Sequence, residues 1–221
     1  MIVPSMAVQE IHNEVFEDIP NLRNKLTEYR EDFRKTVLKA SRYPLTKSYA
    51  CKTKAMKNSF SIDFTAQKRS HWKSPILSIF GMYDRPEGKY AFSVSLDFNL
   101  ITIYPPHFFQ RFRERIAKNM TVSNENLIKD YFKNDWGFIA AVVNKDFESV
   151  YHNFEENNTD EKISFVAATS KGYCFGEKQG SVNIIKTIVS EEMLFGYQKH
   201  IFSELKHAFR EANKDRYGFA V

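Results

Sequence analysis

Hydrophobic periodicity in this chain first changes after the Tyr43-Pro44 break, from helical to alternating, and the change limits the folds open to it. Before it, Leu22, Leu26, Tyr29, Phe33 and Val37 follow at steps of four, three, four and four, as residues on one face of an α-helix do. After it, Phe60, Ile62 and Phe64 alternate with Ser61, Asp63 and Thr65. Alternation puts apolar side chains on one face of a strand and polar ones on the other. A short apolar run at 76–80 follows, then Tyr90, Phe92, Val94 and Leu96 alternating with Ala91, Ser93, Ser95 and Asp97, then a run at 100–104. A turn at 84–88 and a tight corner at Phe98-Asn99 separate these runs. Four strands joined by short turns predict an antiparallel meander.

The first helix is predicted over about 21–41. Asp18 ahead of Pro20 suits its start, because proline in the first turn sacrifices no intrahelical hydrogen bond. A separate short helix over 8–16 precedes it, and the stretch carrying Lys47, Lys52, Lys54 and Lys57 follows the Tyr43-Pro44 break as a loop. Pro105 and Pro106 end the meander and launch a helix that carries His107. Ser123 and Glu125 mark the N-terminus of another helix, with Leu127, Ile128, Tyr131 and Phe132 on its apolar side. Strands are predicted at 138–143, 163–168, 172–176 and 181–189, with an acidic, asparagine-rich loop at 155–161. Ser190 caps a long closing helix whose apolar positions include Leu194, Ile201, Leu205, Phe209 and Ala212. There is no regular β-α-β alternation and no fixed repeat. The fold class is therefore α+β: an antiparallel sheet packed with helices, with long N-terminal and C-terminal helices. Residues 1–45 read as a helical N-terminal extension and 46–221 as the core domain.

With 221 residues, 43% of them hydrophobic, the chain can bury a sizeable core. Its net charge of +5 comes from 32 basic against 27 acidic residues. That balance permits an anionic partner without making the chain a polycation. Cys51 and Cys174 match no zinc or redox spacing, so a reducing cytoplasm is the expected setting. No apolar run is long enough to cross a bilayer and no positively charged leader opens the chain, so no membrane association is expected. A glycine-rich phosphate loop, H-E-x-x-H, C-x-x-C and G-x-S-x-G are all missing from the sequence. No metal and no cofactor are therefore expected.

Two features carry chemistry. In the first, His107, Arg111 and Arg115 are spaced H-x-x-x-R-x-x-x-R. They drift only about 40° per step around a helix and form one polar stripe. His107 falls in the first turn, where free backbone N–H groups and the helix dipole attract phosphate, and the two arginines extend that field. Metal-free RNA cleavage needs a base for the 2'-hydroxyl, an acid for the leaving oxygen and cations for the charge on phosphorus. His107 suits the base, and Arg111 with Arg115 the clamp. A solvated helix face would show the same pattern.

This run resembles the signature of small phage and toxin-type proteins of the barnase, EndoU, colicin and RelE-like nuclease group. The resemblance implies a ribonuclease-like fold, with a helix on a small antiparallel sheet and metal-independent RNA cleavage. It carries over to His107, Arg111 and Arg115, with Thr187 on a late strand as the polar group facing them.

The second feature is a basic band of Lys52, Lys54, Lys57, Lys68, Arg69, His71, Trp72 and Lys73. Cations beside an aromatic ring can track a phosphate backbone and stack a base. Two functions stay open: RNA cleavage or phosphodiester binding at the His107 stripe, and a non-catalytic module. The expected partners are RNA or another nucleic acid, or a protein held by the band or by the amphipathic N-terminal helix.

Overall fold

The computed structural model describes residues 1–118, 121–133, 137–142 and 162–217. The acidic loop expected at 155–161 lies outside the described residues. The fold is α+β. Helix α1 (Val8–Lys39) leads into strands β1 (Leu45–Lys52), β2 (Ser59–Ala66), β3 (Ile76–Arg85), β4 (Gly88–Ser95) and β5 (Leu100–Tyr104). Helices α2 (Pro106–Phe112) and α3 (Asn124–Lys133) follow, then β6 (Phe138–Val142), β7 (Ile163–Thr169), β8 (Tyr173–Gln179), β9 (Val182–Val189) and the closing helix α4 (Gly196–Tyr217).

The nine strands of the described residues share one sheet in the order β1-β2-β3-β4-β5-β9-β8-β7-β6. It consists of two antiparallel meanders whose inner strands, β5 and β9, run parallel. The chain leaves β5, crosses through α2 and α3 to the far edge, and works back inward to β9. Side-chain alternation then divides the core. On one face, Ile11, Val15, Leu22, Phe33 and Val37 of α1 meet Phe60, Ile62, Phe64, Ile101 and Val182. On the same face of the other meander, Phe202, Leu205 and Phe209 of α4 meet Val166, Phe175 and Val189. The opposite face is covered by α2 and α3, where Phe108, Phe109, Phe112, Tyr131 and Phe132 close over Phe80, Tyr104 and Ile185. Close approach of Phe92 inside the first meander demands glycine at position 81, where a Cβ would lie 2.4 Å from the Phe92 ring.

Three expectations are revised. First, α1 is one helix of 32 residues with Pro20 inside it, rather than two helices broken at Asp18. A proline in a helix interior costs about 3 kcal/mol, and here Ile11, Val15, Ile19 and Leu22, all at most 5% exposed, hold the two halves on the sheet. Asp18 caps nothing. It is fully buried, accepting from Thr53 Oγ1 at 2.7 Å and Asn58 Nδ2 at 2.8 Å. Second, 45–52 is strand β1, because Lys47 and Tyr49 both turn toward α1 and donate to Asp32, while Tyr49 stacks on Tyr29 at 4.4 Å. Third, Ser190 precedes a 3-10 turn (Glu191–Met193), and α4 begins only at Gly196. Ser123 does cap α3: its hydroxyl accepts the Asn126 N–H at 3.3 Å.

Candidate functional site

The His107 stripe begins as the spacing predicts and then departs from it. Pro106 opens α2, and the helix is held down by Phe108, Phe109 and Phe112, each at most 4% exposed. His107 and Arg111 therefore face outward, both exposed. Arg111 pairs with Glu114 at 3.3 Å. Past Phe112 the helix widens into one π-turn (Arg113–Ala117), closed by the Lys118 N–H on the Arg113 carbonyl at 2.9 Å. A π-turn places an extra residue in the turn, which rotates the succeeding side chains off the α-helical line.

Arg115 sits in that turn. Instead of continuing the stripe it turns onto β9, where its Nη1 donates to Thr187 Oγ1 at 3.2 Å and to the Ile188 carbonyl at 2.9 Å. The local strand geometry helps. Phe175 pairs with Thr187 and Gly176 with Ile185, so Lys186 is the extra residue of a β-bulge that bends β9 at this point. Burial, together with Arg111, holds the Arg115 pKa below its ordinary value, while Glu114 opposes this. The guanidinium stays charged all the same. The structure thus brings Arg115 to Thr187 and leaves His107 on the order of 10 Å away along the helix. Arg115 acts there as a clamp between α2 and β9, and Thr187, 6% exposed, has little access to solvent.

The basic band divides in two. Lys52, Lys54 and Lys57 lie at one end of β2, while Lys68, Arg69, His71, Trp72 and Lys73 lie at the other, beyond eight strand residues or about 26 Å. Only the second group is drawn into a cluster. A 3-10 turn (Arg69–Trp72) packs Trp72 against the α1 core. Arg34 of α1 lies over the Trp72 ring at 4.8 Å, and Lys73 lies 5.8 Å from its centre. Arg30 donates to the Lys73 carbonyl. Lys68, Arg69 and Lys73 are exposed and make no ion pair among the described residues. His71 is pushed below its ordinary pKa by burial and by Lys68, so it is neutral at pH 7.

Arg30 and Arg34 were not among the sequence candidates. They lie on α1 away from its core face, and only tertiary packing shows which loop they meet. Among the described residues, no three His, Cys, Asp or Glu side chains gather as metal ligands would. None of the helices is long and apolar enough to cross a membrane among the described residues. No protein-family model, curated protein or solved structure matches the chain.

Proposed function

We propose that this protein is a non-catalytic module that binds a phosphodiester backbone, with single-stranded RNA as its first candidate, through the cluster around Trp72. The observation that carries this is the convergence of Arg30 and Arg34 of α1 on Trp72 and Lys73, in the turn that also carries Lys68 and Arg69, with Arg30 and Lys73 separated by 43 residues in the chain. Lys68, Arg69 and Lys73 point to solvent and pair with no carboxylate among the described residues. Trp72 is half-buried and flanked by Arg34 and Lys73, so its role is to seat the cations rather than to offer a stacking face. Binding is then led by charge and tolerant of base sequence.

Cleavage at His107 would need the histidine, both arginines and a second proton donor around one phosphate. In this geometry Arg115 is committed to β9 and Arg111 to Glu114, which favours binding over chemistry. The test is to incubate the protein with single-stranded RNA in EDTA and follow both retention and length. We expect the RNA to be bound and to stay intact. Cleavage that disappears in His107→Ala and Arg111→Ala would overturn the proposal.

A further inference from the structure

A second basic cluster lies on the other meander, unrelated to the Trp72 cluster. Along α4, Lys199, Lys206 and Arg210 recur at steps of seven and four, so they share one helix face, with His207 beside them. That face borders a cleft of about 160 Å³, closed on the other side by Tyr173 at the start of β8 and by Glu191 in the 3-10 turn. The space equals that of about five waters in the liquid.

The cleft has the parts of an anion site. Glu191 accepts from Lys206 and is satisfied by it. Lys199 and Arg210 make no ion pair among the described residues. Three fixed cations thus face one carboxylate. Tyr173 is 3% exposed, its ring is packed 4.7 Å from Phe202, and it lines the cleft. Burial and the nearby Glu191 push the Tyr173 pKa up to about 12, against the opposing effect of Arg210. The hydroxyl therefore stays protonated and acts as a donor.

We propose that this cleft binds a phosphate group, free or as a monoester, clamped by Arg210 and Lys199 and accepting a hydrogen bond from Tyr173. Arg210 supplies the planar fork suited to two phosphate oxygens. Lys206, tethered by Glu191, adds charge without closing over the site.

Isothermal titration of the full chain with inorganic phosphate, and separately with ribose 5-phosphate, at constant ionic strength in chloride tests this. Saturable 1:1 binding is expected with at least one of them. It should weaken about tenfold in Arg210→Ala and in Lys199→Ala, as the loss of one charge-assisted contact implies. Tyr173→Phe keeps the ring and should weaken it severalfold, and Lys129→Ala, on α3, should leave it unchanged. The tighter of the two ligands identifies the source of the phosphate. Circular dichroism of each variant checks the fold. An absence of saturable heat from both ligands, or binding unchanged in both the arginine and the lysine variants, would overturn the proposal.

Discussion

Arg115 and His107 look equivalent in sequence, yet they do different work. Arg115 donates two hydrogen bonds to β9; a buried hydrogen bond to a charged group contributes about 1.5–3 kcal/mol net of water, and these contribute less because Arg115 is only half-buried. Arg115→Ala should therefore lose about 1–2 kcal/mol in urea unfolding, whereas the exposed His107→Ala should stay within about 0.5 kcal/mol of wild type. Equal effects would contradict the clamp. Asp63 poses a different question. Strand alternation marks it as a solvent-facing residue, but it is 5% exposed, and burial pushes its pKa up against the lowering effects of Ser48 and Lys133. Such a carboxyl holds its proton more tightly folded than unfolded. Stability therefore falls as pH rises from the ordinary value of 3.8 through the raised one. Asp63→Asn should be more stable than wild type at pH 7, with the gain shrinking as the pH is lowered into the carboxylate range. A variant less stable than wild type at pH 7 would show that the charge is used.

At the scale of elements, α1 shows where sequence patterns succeed and where they fail. Its stripe from Leu22 to Val37 is legible because every residue in it obeys one local period. Its continuity through Pro20 is not, because the compensation comes from the sheet packed beneath Ile11, Val15 and Ile19. Replacing the exposed Pro20 with alanine restores an N–H donor without disturbing the core. It should raise stability by roughly 1 kcal/mol, part of the interior-proline cost, read as a higher urea midpoint. A fall would mean that the helix depends on a bend at that point. Strands β2 and β4 were legible from their alternation, and β3, β5 and β6 to β9 as short apolar runs, most of them bounded by turn residues. Strand β1 was hidden because Lys47 sits on the buried-facing side and is satisfied only by Asp32 and Thr36 of α1. The candidate site was legible in part. His107 and Arg111 lie on the expected outer face, but the π-turn that redirects Arg115 has no periodic mark, and the pairing of α1 arginines with the Trp72 turn is a product of tertiary packing alone.

Taken as a whole, the molecule separates its charge from its core. Among the described residues, three hydrophobic clusters hold two meanders and four helices together, and the exposed cations gather on different parts of that frame rather than as one band. The Trp72 cluster is the part best suited to a polyanion, since it combines segments distant in sequence and leaves Lys68, Arg69 and Lys73 without carboxylate partners among the described residues. Its affinity should therefore come from counterion release, with log K falling by about 0.7 per phosphate contact for each unit rise in log salt on a single strand. The most direct measurement is fluorescence anisotropy of a labelled single-stranded RNA, titrated with wild type and with the triple variant Lys68→Ala, Arg69→Ala, Lys73→Ala across a salt series. We expect a wild-type slope of about −2 or steeper for three or more contacts, with the affinity and most of the slope lost in the triple variant. An unchanged affinity and slope in the triple variant, or no binding by wild type even at low salt, would contradict the role assigned to this cluster.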